Sequence, residues 1–290
     1  MALADLARLV TLAALWGGAF ILFKIAAPVL GALLTAELRV AFGWIALTIY
    51  ALVVGERVAL RERWKGYLII GLVSSALPFS LVSFSSMHLS AGLNAIINGA
   101  SPLFGAIAAA LLLGDRLTFK RVAALALGML GIVVLVGDPA IGAGPMIGWA
   151  LAAALASALC YGFAGVLTKL VAADTPPIAM SAGTQLAATL ALIPLLPLAP
   201  PPGPITISAL AATVAMGVFC SGFGYVLYFK LLANIGPVRT LLVTFLIPVF
   251  GVIFGVIFLG ESITWRTIAG GAIVLLAVWI ETRGRRALSH

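Results

Sequence analysis

Charge is what this chain has least of. Only 9% of its 290 residues are Asp, Glu, Lys or Arg, against about a quarter in ordinary soluble domains. Nine acidic residues and two histidines, His88 and His290, leave little from which to build an acid–base pair or a metal cluster. Cys160 and Cys220 lie in separate apolar stretches, so they read as small core residues rather than a disulfide framework. The phosphate-loop pattern GxxxxGK is missing, and no stretch between apolar runs is long enough to fold into a nucleotide-binding domain. These absences set aside an ATP-driven pump, a nucleophile-based hydrolase and a metalloenzyme. No catalytic residue, metal ligand or cofactor is expected.

Apolar sequence fills the space instead. Hydrophobic residues make up 63% of the chain and the mean hydropathy is +1.22, far more apolar surface than a water-soluble protein of this size can hide. Ten apolar runs stand out, near 6–27, 32–54, 67–87, 91–113, 121–137, 146–171, 177–199, 207–233, 238–259 and 266–283. Most have the length of about twenty residues that carries a helix across a bilayer. They are continuous rather than alternating, so helices and not barrel strands satisfy their backbone in lipid. The expected fold is an all-α membrane protein of ten transmembrane helices.

The few charges are unevenly placed. With the N-terminus in the cytoplasm, the inner segments carry Arg8, then Arg57, Arg61, Arg63 and Lys65, then Arg116, Lys120 and Arg121. They also carry Lys169, Lys230 and Arg239, and the tail Arg283, Arg285 and Arg286; the outer segments keep only Lys24 and Arg266. That is the positive-inside pattern, with both termini cytoplasmic. The net charge of +8 therefore orients the chain in its lipid bilayer, and no nucleic acid is expected as a partner. One basic residue followed by a full-length apolar run without a cleavage site reads as a retained first helix. The absence of an Asn-x-Ser/Thr acceptor fits a bacterial inner membrane.

The chain also repeats itself. Residues 98–120 recur as 244–266 at a shift of 146, which brings Pro102 onto Pro248, Gly105 onto Gly251, Gly114 onto Gly260, Asp115 onto Glu261 and Thr118 onto Thr264. At a shift of 145, Trp16, Gly17 and Lys24 fall on Tyr161, Gly162 and Lys169. Five spans per half is an odd number, so the halves must enter the membrane in opposite directions. Residues 1–137 and 146–283 are thus expected as two inverted five-helix repeats, joined by an external Gly/Pro-rich linker at 138–145 and followed by a basic cytoplasmic tail at 284–290. The proline-rich loop at 197–204 is placed outside as well. Inverted repeats commonly hold a solute site between them, near the bilayer midplane. A single chain that contains both repeats is expected to work as a monomer.

The segments WGGAFILFK at 16–24, ELR at 37–39, SAGLNAIINGASPLFGAIAAALLLGDRLT at 90–118 and IPVFGVIFGVIFLGESIT at 247–264 resemble the EamA-type half of the drug/metabolite transporter superfamily. The resemblance covers almost the whole chain. It implies ten helices in two inverted repeats and a carrier of amino acids, metabolites or drugs, often outward. Within that group the chain is most similar to amino-acid exporters, aromatic ones included. A membrane-embedded enzyme or a channel-like facilitator is the alternative.

Helical spacing nominates the residues along a pathway. Ser75, Phe79, Ser83 and Ser86 share one face of the third span, and Gly217, Ser221, Tyr225 and Tyr228 one face of the eighth. Asn94 and Asn98 share a face in the fourth, with Thr240 and Thr244 at the matching place in the ninth. The candidate solute-binding set is Trp16, Phe79, Ser83, Asn94, Asn98, Tyr161, Tyr225, Tyr228 and Thr244: rings to stack on, amides and hydroxyls to orient. Pro78, Pro102 and Pro248 each remove a backbone donor and are candidate hinges. Gly251 and Gly255 read as a helix contact. Arg39 lies too deep to reach water, so a carboxylate or carbonyl partner is expected for it, while Lys24 and Lys169 sit near helix ends and are expected to snorkel.

Overall fold

The computed structural model describes residues 2–116, 118–137 and 144–284. Among these, all regular structure is helical: α1 (Leu3–Val54), α2 (Leu60–Gly71), α3 (Leu77–His88), α4 (Ala91–Gly99), α5 (Ser101–Leu113), α6 (Phe119–Val136), α7 (Ile147–Val171), α8 (Pro177–Leu192), α9 (Ile207–Ala215), α10 (Gly224–Thr240), α11 (Leu242–Leu259) and α12 (Trp265–Gly284). Residues 138–143 of the linker expected at 138–145 and residues 285–290 of the tail expected at 284–290 lie outside the described residues.

Among the described residues, eight helical stretches are long and apolar enough to cross a membrane. The first of them is unusually long, 52 residues, and it is not straight. Gly31 interrupts it with φ 78° and ψ 168°, a conformation that a side chain would resist, and Pro28 lies one turn earlier. The hydroxyl of Thr35 donates to the Gly31 carbonyl at 2.7 Å and fixes the bend. The same device recurs in α10, where Gly236 (φ 76°) is followed four residues on by Thr240, which donates to the Gly236 carbonyl at 2.8 Å.

Two π-helical turns widen the long spans, at Leu72–Ala76 between α2 and α3 and at Met216–Phe223 between α9 and α10. They fall at matching places in the sequence repeat, since a shift of 146 moves 72–76 to within 216–223. In the first, Leu77 N–H reaches back to Leu72 C=O just before Pro78, which has no N–H to donate to the preceding turn. Caps repeat too: Thr118 accepts from Arg121 N–H and Thr264 from Thr267 N–H. Gly114 and Gly260 end α5 and α11 in the left-handed conformation.

Pro102 and Pro248 match in sequence but not in effect. Pro102 opens α5 after a break at Ala100, whereas Pro248 sits inside the uninterrupted α11 and packs against Gly99.

Glycine sets how close the helices come. A Cβ on Gly17 would lie 2.7 Å from Phe250 Cβ and 2.8 Å from Ile247 O in α11. On Gly162, its repeat mate in α7, it would lie 2.6 Å from Gly105 N and 2.8 Å from Phe104 Cβ in α5. Each of the paired helices thus packs backbone to backbone with the other half. Gly251 and Gly255 do form a helix contact, against Ala95 and Gly92 of α4. Outside, large apolar side chains such as Leu111, Val133, Trp149 and Ile257 are exposed, as a lipid-facing surface requires.

Candidate functional site

The predicted aromatic residues converge where the two sequence halves meet. Trp16 on α1 stands 6.1 Å from Tyr225 and 5.7 Å from Tyr228 on α10, centroid to centroid. Its indole N–H donates to Cys220 C=O at 2.9 Å, using a carbonyl that the π turn leaves open. On the other side Phe79 of α3 lies 6.4 Å from Tyr161 of α7 and 6.4 Å from Phe23 of α1. Tyr161 and Tyr225 are both half-buried.

Arg39 lies among these rings. Its guanidinium carbon sits 3.8 Å from the Phe79 centroid and 4.9 Å from that of Phe23, a close cation–π pair of contacts. Nε donates to Ser221 Oγ at 3.4 Å. The expected carboxylate or carbonyl partner is replaced by two aromatic faces and a hydroxyl, because α1 turns this side chain inward at the seam of the halves. Phe23 and Arg39 belong to this cluster and were missing from the candidate set, as was Gln185, which bonds Ser75 and lies beside Gly43. Phe23 follows Trp16 at seven residues, the spacing of one helix face, which is the signal that points to it.

The polar candidates divide differently. Asn94 is fully buried, and its amide nitrogen is bonded to Ser85 Oγ at 2.7 Å and Ser86 Oγ at 2.9 Å. Asn98 Nδ2 donates to Asn94 Oδ1 at 3.1 Å, while Asn98 Oδ1 accepts from Ser157 Oγ at 2.8 Å. These bonds tie α3, α4 and α7 together. Ser83 and Thr244 donate to carbonyls of their own helices, Phe79 and Leu241.

A charged clasp holds the junction between α3 and α4. Lys24 does not snorkel: its Nζ donates to Leu89 C=O at 2.8 Å, at the C-terminus of α3. Glu261 accepts from Ala91 N–H at 2.6 Å and Gly92 N–H at 3.0 Å, at the N-terminus of α4. The cation meets the negative helix end and the anion the positive one. Their repeat mates are not so engaged. Lys169 is exposed, with no hydrogen bond or ion pair among the described residues, and Asp115 is half-exposed, 3.6 Å from Arg121.

The sequence profile of the EamA-like transporter family matches residues 6–137 and again 148–282. The chain belongs to that family. An uncharacterized transporter of Archaeoglobus fulgidus is 26% identical over 272 residues, 93% of this chain and 95% of its own. A probable amino-acid metabolite efflux pump of Escherichia coli (strain K12) is 26% identical over 286 residues, covering 93% and 92%. A probable terminal-alkyne amino-acid exporter of Streptantibioticus cattleyicolor is 26% identical over 211 residues, covering 71% and 70%. A solved crystal structure aligns over the whole of both chains with a TM-score of 0.69 at 21% identity, a likeness of fold. This EamA-like chain is an integral membrane protein of transporter type, and its relatives' names point to transport rather than to catalysis.

Proposed function

We propose that this EamA-like protein is a secondary carrier that works by alternating access and moves small amphipathic metabolites, amino acids foremost, out of the cell across a bacterial inner membrane. The observation that carries the reading is the aromatic cluster of Trp16, Phe79, Tyr161, Tyr225 and Tyr228, which gathers side chains of both sequence halves at one interior place. The two relatives named as amino-acid exporters support the substrate class.

The reading takes the halves, 1–137 and 146–283, as inverted five-helix repeats with both termini cytoplasmic. Ten spans follow if the bend at Gly31 divides α1 into two crossings and α12 makes a further one. The clasp at Lys24 and Glu261 then lies at the outer end, where it is closed, and its open mates Lys169 and Asp115 lie at the inner end. Opening one while closing the other is the exchange that alternating access requires. Asn94, Asn98, Ser83 and Thr244 stand beside the passage, and Pro78, Pro102 and Pro248 are the places where its walls bend. One chain holds the whole passage and acts as a monomer.

Purified protein in vesicles preloaded with an unlabelled amino-acid mixture tests this. The carrier reading predicts that external labelled amino acids accumulate transiently by counterflow. Uptake that only equilibrates, with no overshoot, is the behaviour of a channel and contradicts it.

A further inference from the structure

Arg39 is a buried charge to which the carrier reading assigns no task. The residue is 7% exposed, and a cation kept inside a membrane protein is among the most costly features such a protein retains. Among the described residues its ion pairs are none: the acidic groups in ion pairs are Asp5, Asp115 and Glu281, bound to Arg8 and Arg121. Glu37 is buried too, but two residues along α1 it points to the other side of the helix. Arg39 spends Nε on Ser221, and its guanidinium lies against the rings of Phe79 and Phe23. Its two terminal nitrogens, the fork that matches a carboxylate, have no acceptor among the described residues.

A complementary group lies close by. Gln185 is wholly buried; its nitrogen donates to Ser75 Oγ at 3.1 Å, and its oxygen has no partner. Gly43, one turn from Arg39, brings the two together: a Cβ there would lie 2.9 Å from Ser221 Cβ and 3.4 Å from Gln185 Oε1. Bare donors and a bare acceptor thus flank one stretch of glycine backbone beside the aromatic cluster. Thr184 holds the place of Arg39 in the second half, because Gly71 packs on Thr184 O as Gly217 packs on Arg39 O. The cation of the site therefore comes from the first half, and its bare acceptor from the second.

We infer that Arg39 binds the carboxylate of the transported solute, that Gln185 Oε1 accepts from its ammonium group, and that the solute's side group lies against Phe79, Tyr161 and Tyr225. The substrate class is the α-amino acid with an apolar or aromatic side chain. This assignment rests on the carrier reading. A planar donor fork held by the Ser221 bond and two ring contacts is already oriented, so a carboxylate gains both bonds without reordering the side chain. An ester or amide of the same solute offers one neutral acceptor and loses the charge pairing.

The test titrates the purified protein, by thermal shift, with L-phenylalanine, L-phenylalaninamide, 3-phenylpropanoate and 2-phenylethylamine, and with the matching leucine series. The wild type is expected to bind the amino acids at least tenfold more tightly than their amides. Arg39→Gln is expected to erase that preference, and Arg39→Lys to keep part of it. Gln185→Leu is expected to weaken L-phenylalanine severalfold and to leave 3-phenylpropanoate unchanged. If Arg39→Gln does not fold, the wild-type preference and Arg39→Lys decide. Equal binding of acids and amides by the wild type, or a preference that survives Arg39→Gln, overturns the assignment and leaves the carrier reading standing. Binding of no probe, with no counterflow of any amino acid, removes the amino-acid reading and this assignment with it.

Discussion

At the junction between α3 and α4 two charges grip the backbone, and at the matching place in the second half the same pair of positions grips nothing of the kind. Lys24 and Glu261 bond the carbonyl of Leu89 and the amides of Ala91 and Gly92. Lys169 is exposed, and Asp115 faces Arg121 instead. The comparison at Gly17 and Gly162 gives the opposite result, for both pack against the backbone of the other half in the same way. The repeat therefore keeps its packing equal and its charges unequal. Contacts between bare backbones hold the halves together at the glycines, whereas charge–helix contacts hold only one of the two matching ends.

That division predicts how substitutions rank. Gly17→Leu and Gly162→Leu are expected to damage the protein alike, because each drives a side chain into backbone, at a cost upward of about 3 kcal/mol. Gly165→Leu, where nothing lies within 4 Å of the added carbon, is expected to change stability by less than about 0.5 kcal/mol. Melting temperature in detergent checks all three, and a large difference between the first two breaks the claim of equal packing.

A smaller effect is expected in the polar ties. Asn94→Ala removes an amide that serves two serine hydroxyls in a dry place, for a loss of about 2 kcal/mol. Thr240, its match in the second half, bonds only the carbonyl of Gly236 in its own helix. Thr240→Ala is therefore expected to cost under about 1 kcal/mol. Comparable losses in the two variants would mean that the amide network is not particular to the first half.

The smallest stability change belongs to the charges, and it is the most telling. Glu261→Gln gives up a charged acceptor for two backbone amides, about 1–2 kcal/mol. Asp115→Asn alters a half-exposed group and is expected to stay within about 0.5 kcal/mol. Equal responses by thermal melting would remove the asymmetry between the two ends.

Much of this was open to a reader of the sequence, for physical reasons. Apolar runs long enough to span lipid have few other uses, and the matched Pro, Gly and acidic positions betray a repeat whatever its geometry. Trp16 and Tyr161 stand out through the repeat, and Tyr225 and Tyr228 through helical spacing, which fixes the face a residue shares. Spacing does not fix what lies opposite that face. So the bend at Gly31, the π turns beside Pro78 and Cys220, and the partner of Arg39 were out of reach, since each depends on contacts from helices distant in sequence. Asn94 and Asn98 show the same limit: one face was right to join them, but only tertiary contacts with Ser85, Ser86 and Ser157 reveal how their hydrogen bonds are used.

The closed clasp offers the most direct test of alternating access. A Cβ on Gly92 would lie 3.3 Å from Val252 Cα and 3.2 Å from Val252 Cγ2, within the reach of a disulfide. The variant Gly92→Cys/Val252→Cys, with Cys160 and Cys220 replaced by alanine, joins α4 to α11 beside Glu261. Counterflow of labelled amino acids is then measured before and after oxidation, and again after reduction. The account predicts that the reduced protein transports, that the cross-linked protein does not, and that reduction restores the rate. Undiminished counterflow by fully cross-linked protein would contradict it.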